Sequence, residues 1–254
     1  MYAQLRLDSR IAVITGGSKG LGRAMAESMA SAGATVIVTA RNEEPLQELC
    51  EAIEMKGGKA DYRVFDVTDE AAGKEALASV VKDRRRIDIL VNNAGAIQRT
   101  PLLDSSTDDY RQVVETNLIA YYTLGREAAR HMVERGYGRI INIGSVMSQI
   151  ARPNIGSYVA TKHGVAGLTK SMAVELAGQG ICVNAIAPGY FGTEFNAPLM
   201  ADEEFTKMVE DRTPVGRWAR PEEIGGAGIF LASEAASFVT GHVLFVDGGL
   251  TVKL

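Results

Sequence analysis

Short runs dense in valine and isoleucine alternate along the chain with longer stretches whose apolar residues recur at helical spacing. The runs are IAVIT from Ile11, ATVIVTA from Ala34, ADYRVFDV from Ala60, IDILVNN from Ile87, GRIINIGS from Gly138, ICVNAIAP from Ile181 and HVLFVDGG from His242. Most lack the apolar–polar alternation of a strand with one wet face, and read as strands buried on both faces, as parallel strands are. The stretches between them carry helix punctuation. Pro45 and Pro221 sit where first helical turns begin, each followed by acids. Gly33 and Gly57 stand where helices stop, and Thr68 to Glu70 reads as a helix start. Strand–helix alternation predicts right-handed crossovers and an α/β fold: a doubly wound parallel sheet with helices on both faces.

The alternation continues to about residue 247 with no repeat, low-complexity tract or linker, which predicts a single domain over 1–254. Its rhythm breaks over 188–214. A segment of that length is expected to be a substrate-binding loop or lid, with short helices of its own. Its apolar residues Phe191, Phe195, Leu199, Met200 and Phe205 either close over a cleft or form the buried side of those helices. Trp218, just beyond, reads as packing or as a pocket wall.

Composition narrows the function classes. The chain has 254 residues, 46% hydrophobic and 23% charged, which is ample for a core. A net charge of −4 argues against nucleic-acid and anionic-membrane partners. Arg84, Arg85 and Arg86 form a basic run that reads as a solvated helix end. Cys50 and Cys182 lack metal or redox spacing, and the opening MYAQLRLDSR lacks the apolar core of a signal peptide. No apolar run approaches the ~18–20 residues of a membrane span. A cytoplasmic setting is expected. His131, His163 and His242 show no ligand spacing, so no metal is expected.

Candidate chemistry starts at the first strand's end. Thr15-Gly16-Gly17-Ser18-Lys19-Gly20-Leu21-Gly22 follows that strand and opens a helix. Glycines permit a sharp turn and close approach, and a helix N-terminus offers free N–H groups to a pyrophosphate. The spacing of Gly16, Gly20 and Gly22 differs from the common G-x-G-x-x-G. Read alone, the turn is also compatible with a tight loop. The second strand ends Thr39-Ala40-Arg41-Asn42, with no carboxylate for a ribose 2′-hydroxyl until Glu43. Arg41 and Lys19 are both cations suited to a 2′-phosphate, which favours NADP over NAD.

Tyr158 and Lys162 are four residues apart in a helix-like stretch, Gly156 to Ala177, and so share one helix face. A free tyrosine titrates near pH ~10, too high for proton transfer near neutrality. A neighbouring ammonium stabilises the phenolate and lowers that value. Ser145 follows a strand at the edge where parallel sheets place their sites, and can bond a substrate oxygen. A lone Tyr-x-x-x-Lys is common by chance. What gives it weight is the ordered set: the glycine turn, Asn92-Asn93-Ala94-Gly95, Asn117, Ser145, Tyr158 and Lys162.

With those residues in view, the chain resembles the short-chain dehydrogenase/reductase family across essentially its whole length. The resemblance rests on TGGSKGLG from Thr15, Asp66, NNAG from Asn92, Asn117, Ser145, YVATK from Tyr158, PGYFGT from Pro188 and VDGG from Val246. It implies a Rossmann-type, seven-stranded sheet, NADP(H) as cofactor and a homotetramer. It implies Tyr158 as general acid/base, Lys162 as the group that lowers its pKa and holds the nicotinamide ribose, and Ser145 as the group orienting the reacting oxygen. Asn117 would hold a water in a proton relay. Asp66 and Val67 would contact the adenine, and Asn93, Ala94 and Gly95 would line the cofactor. Pro188, Gly189, Phe191 and Thr193 would meet its nicotinamide end.

Family does not name a substrate. The stretch from Ala187 to Trp218, IQRTPL from Ile97, SQIARPNIGSYVATK from Ser148 and the ending VDGGLTVKL resemble the gluconate 5-dehydrogenase branch. A sugar acid needs cations or donors for its carboxylate. Arg99 and Arg152 are expected at the cleft mouth and Gln149 at the sugar hydroxyls, against the plainer reading of surface residues. Reduction of a 3-oxoacyl group on acyl carrier protein, oxidation of another polyol or uronate, and a non-enzymatic NADP-binding role stay open.

Overall fold

The computed structural model describes residues 2–253. In chain order it runs β1 (Ile11–Thr15), α1 (Gly20–Ser31), β2 (Thr35–Ala40), α2 (Glu44–Met55), β3 (Lys59–Val64), α3 (Glu70–Arg84) and β4 (Ile89–Asn92). Then follow α4 (Thr107–Val114), α5 (Ala120–Val133), β5 (Gly138–Ile143), α6 (Gly156–Leu176) and β6 (Ile181–Pro188). The chain ends with α7 (Ala197–Met200), α8 (Glu203–Arg212), α9 (Gly225–Ala232) and β7 (Val243–Val246).

The seven strands form one sheet in the order β3-β2-β1-β4-β5-β6-β7, and every neighbouring pair is parallel. This is the Rossmann-type arrangement expected. Register explains why the central strands carry no polar alternation. Ala12 and Ile14 of β1, with Val36 and Val38 of β2 and Ile89 of β4, pack on the side of α1, α2 and α9. Val13, Ile37 and Leu90 pack on the other side, with Leu77 and Val80 of α3 and Leu124 and Ala128 of α5. Both faces are covered, so successive residues are all buried. Each such valine or isoleucine contributes about 1.5–3 kcal/mol relative to exposure. The edge strand β3 differs: its residues are half-buried or exposed.

Sequence punctuation sets the helix bounds. Asp69 caps α3 by accepting from the Ala72 N–H, Ser106 caps α4 through Asp109, and Asp202 caps α8 through Phe205. Gly33 and Gly57 follow α1 and α2 with φ of 107° and 80°, which favours glycine. Pro45 stands in the first turn of α2, as expected, whereas Pro221 opens a 3₁₀ turn, Pro221–Ile224, that runs into α9. Within 188–214 the chain leaves β6, bridges Phe191 to Ala219, and forms a 3₁₀ turn (Glu194–Asn196), α7 and α8. Among the described residues, no helix is long and apolar enough to cross a membrane.

Strand order reverses between β1 and β4, each of which is followed in sequence by a strand on the opposite side. In doubly wound sheets a crevice opens at such a point, beyond the carboxyl ends of the strands.

Candidate active site

The crevice begins where two loops interlock. Thr15 Oγ1 accepts from the N–H groups of Asn93 and Ala94, at 2.9 and 3.1 Å. The Asn93 side chain donates in return to the carbonyls of Thr15 and Gly16, at 2.9 and 3.0 Å. A Cβ on Gly16, whose φ is 61°, would sit 2.9 Å from the Ala94 Cα. A Cβ on Gly22 would sit 2.3 Å from the Gly16 carbonyl oxygen. Gly22 therefore lets α1 pack directly against the turn. Lys19, at the N-cap of α1, makes no side-chain cap bond, so the first N–H groups of that helix keep their donors for a ligand.

A cleft of about 600 Å³ runs over these loops. One end is walled by Ala40, Arg41, Asp66 and Val67, the middle by Gly16 and Ser18 to Leu21 with Asn93 to Gly95, and the far end by Ser145, Tyr158 and Lys162. Pro188, Gly189, Phe191 and Thr193 close it from the β6 side. Phe191 does so as a core residue, 2% exposed. Arg41 lies 3.8 Å from Asp66. The N–H and hydroxyl of Thr68 both donate to Asp66 Oδ1; these bonds and Arg41 hold that carboxyl below its ordinary range against the cost of burial.

Tyr158, in the first turn of α6, and Lys162, one turn later, both face the cleft. The Lys162 ammonium donates to the Ile143 carbonyl at 2.6 Å and is 5.5 Å from the Tyr158 ring centre. Burial pushes its pKa down to about 7. Burial likewise raises that of Tyr158, opposed by the Ser145 hydroxyl and by the charges of Arg99 and Arg152. Those three groups favour the phenolate, and the Lys162 ammonium stands beside the same ring. Ser145 Oγ accepts from the Met147 N–H at 3.1 Å, which leaves its own proton free to donate outward. Ser148 ties this loop to α6 by donating to the Lys162 carbonyl at 2.8 Å.

Arg99 and Arg152 both line the cleft. Arg99 donates to the Phe195 carbonyl at 3.1 Å and stands 5.6 Å over the Phe195 ring. Arg152 stands 5.3 Å over the ring of Phe205 on α8. Burial, and then the charge of Arg152, lower the pKa of Arg99: the two guanidinium groups stand close enough to repel. Phe195 also packs against Tyr158, with ring centres 6.2 Å apart, and Tyr190, Phe205 and Trp218 form an aromatic cluster behind Arg152. That arrangement can take an anion beside the phenol.

Three expected residues lie off the wall. Gly22 serves packing, as described. Gln149 is on the surface and does not line the cleft. Asn117 is fully buried on a π-helical segment, Glu115–Ile119. Its side chain accepts from the Ala96 N–H and donates to the Ala96 carbonyl and to Thr161 Oγ1. It braces the loop after β4. Sequence reasoning gave no role to Ser148, Tyr190 or the Ile143 carbonyl, although all three lie within stretches that it singled out.

The likeness to known proteins agrees with this geometry. A family model described as enoyl-(acyl carrier protein) reductase matches residues 16–251. The gluconate 5-dehydrogenase of Gluconobacter oxydans is 47% identical over 243 residues, covering 96% of this chain and 95% of that protein. The chain belongs to the short-chain dehydrogenase/reductase family. As a member it is an oxidoreductase. A crystal structure of a gluconate 5-dehydrogenase from Burkholderia cenocepacia, in complex with NADP and tartrate, is 45% identical and superposes with a TM-score of 0.96, covering 99% of this chain and 98% of that one. A 3-oxoacyl-[acyl-carrier-protein] reductase of Thermotoga maritima is 38% identical, over 98% of this chain and all of that protein.

The residues present fit the family's dinucleotide. The turn is closed so tightly that no Cβ is tolerated at Gly16 or Gly22, and the α1 donors are free above it. A cation stands at the adenosine end and a phenol and ammonium at the other.

Proposed function

We propose that this member is an NADP(H)-dependent dehydrogenase of a sugar acid, interconverting D-gluconate and 5-keto-D-gluconate. The observation that carries it is the pair Arg99 and Arg152 on the cleft wall beside Tyr158. A carboxylate held there leaves a secondary hydroxyl of the same molecule to reach the phenol. The names of the relatives support the same substrate class.

In this reading the nicotinamide, when bound, accepts or supplies the hydride. Tyr158 takes the alcohol proton during oxidation and returns it during reduction. Ser145 donates to the reacting oxygen. The Lys162 ammonium stabilises the phenolate and holds the nicotinamide ribose. Asn117 fixes the Ala96 loop against α6 through its side chain and would hold a water in a proton relay from Lys162. Gly16 and Ser18 to Leu21 receive the pyrophosphate, Arg41 and Lys19 the 2′-phosphate, and Asp66 and Val67 the adenine. The segment 188–214 covers the cleft as a lid. Exposed apolar residues on α5 and α6, Tyr122 and Val174, together with Phe238 beside the edge strand β7, support assembly as a homotetramer. The setting is the cytoplasm.

Initial rates with NADP(H) on D-gluconate, 5-keto-D-gluconate, a neutral polyol and a β-ketoacyl thioester test the substrate. Turnover is expected on the sugar-acid pair. Preference for the thioester would move the chain to acyl reduction, and preference for the polyol would remove the anion site.

A further inference from the structure

Two aromatic rings face the Lys162 ammonium, and the catalytic reading uses only Tyr158. The other is Tyr121, the second residue of α5. Its ring centre is 5.3 Å from Lys162 Nζ, slightly nearer than that of Tyr158 at 5.5 Å. Tyr121 is 1% exposed and among the largest fully buried side chains of the protein. Its position is fixed from two sides. Its carbonyl accepts from Asn92 Nδ2 at 3.3 Å, and that nitrogen also donates to Asn142 on the neighbouring strand. Leu124 and Ala128, one and two turns on, bury the same face of α5 in the sheet.

An ammonium has three donors. Lys162 spends one on the Ile143 carbonyl. In a site this dry the charged form needs further compensation, and the negative face of an aromatic ring within about 6 Å supplies it, most strongly where water is excluded. The Tyr121 hydroxyl contributes little of this. It lies 3.5 Å from the Ile143 carbonyl, longer than a full-strength O–H···O bond. The ring is therefore the working part. Other polar and ionisable groups around the pair are Ser145 after β5, Arg99 after β4, Arg152 before α6, and Tyr190 and Glu194 after β6, which all line the same cleft.

We propose that Tyr121 is a positioning residue for Lys162, its ring face holding that side chain as an ammonium against Tyr158. The proposal rests on the reading of Lys162 as the group that sets the acidity of the Tyr158 phenol. Weakening the ring's attraction makes the ammonium easier to lose. The phenolate then forms at higher pH, and alcohol oxidation switches on later.

The test replaces Tyr121 by phenylalanine and by mono-, di- and trifluorinated phenylalanines of nearly the same shape, with Tyr121→Phe as reference. The readout is the pH midpoint of the rising limb of kcat/KM for sugar-acid oxidation by the full-length enzyme. The midpoint is expected to climb stepwise with fluorination, by half a unit or more across the series. Half a unit is about a threefold loss of rate below the limb. A constant midpoint across the series overturns the proposal, because mere packing is preserved throughout. Lys162→Met, measured in parallel, separates the two layers. If it shifts the midpoint while the fluorinated series does not, only the role of Tyr121 falls. If Lys162→Met leaves the midpoint in place, the underlying reading of Lys162 falls, and this proposal with it.

Discussion

Arg41 at the end of β2 and Asp66 beyond β3 face each other across the adenosine end of the cleft, with nitrogen and oxygen 3.8 Å apart. The pair is solvent-exposed, 77% and 43%, and such pairs contribute only about 0–1 kcal/mol. Asp66 is independently anchored by Thr68, so Arg41 is the mobile member. A phosphate offers its guanidinium a stronger, bidentate partner.

Arg41→Ala is therefore expected to weaken NADPH selectively. Bonds to charged groups contribute about 1.5–3 kcal/mol, which is roughly 10- to 100-fold in affinity. The KM for NADPH should rise by that order while the KM for NADH changes little. An equal rise for both cofactors would contradict the assignment.

Most of the architecture was legible because parallel strands buried on both faces have a plain signature. IAVIT from Ile11 and ICVNAIAP from Ile181 match β1 and β6 residue for residue. The third run was read too long: ADYRVFDV extends past Val64, where Asp66 turns the chain by accepting from Thr68. That Tyr158, Lys162 and the glycine turn meet at one cleft was legible because the first two share a helix face and the turn follows a strand. Tyr121 was not, because a buried tyrosine in a helix reads as core until its distance to Lys162 is known. The π-helical segment that carries Asn117 has no sequence signature. Gln149 was misjudged because the 3₁₀ turn Val146–Ser148 leads it outward to the surface.

The buried Lys162 has a consequence for stability. Its pKa falls from 10.5 to about 7 in the folded chain. Between those values the unfolded chain binds more protons, so the stability contribution of this group rises with pH across that window. Below it the full cost of burying the ammonium is present. Lys162→Met should therefore stabilise the cofactor-free protein at pH 6.5, by an amount on the order of a few kcal/mol, and progressively less toward pH 10. Denaturant unfolding of both proteins at several pH values checks this. A gain independent of pH would contradict it.

Arg99 and Arg152 should act together on the substrate's carboxylate. Each alanine variant is expected to raise the KM for the sugar acid by about tenfold, equal to ~1.4 kcal/mol. The double variant should depart from additivity, since both side chains face one ligand group. A neutral polyol, turned over poorly by the parent, should lose nothing. Unchanged KM values for the sugar acid in both single variants would remove the arginines from the site.

In the proposed reaction the phenol of Tyr158 exchanges the proton while the cofactor exchanges the hydride. The most direct measurement is turnover of 5-keto-D-gluconate by Tyr158→Phe, followed by NADPH absorbance, alongside NADPH binding by fluorescence. Binding is expected close to the parent value, with turnover lowered by a factor of about 10²–10⁴, the usual contribution of a general acid. Turnover near the parent rate with binding intact would contradict it.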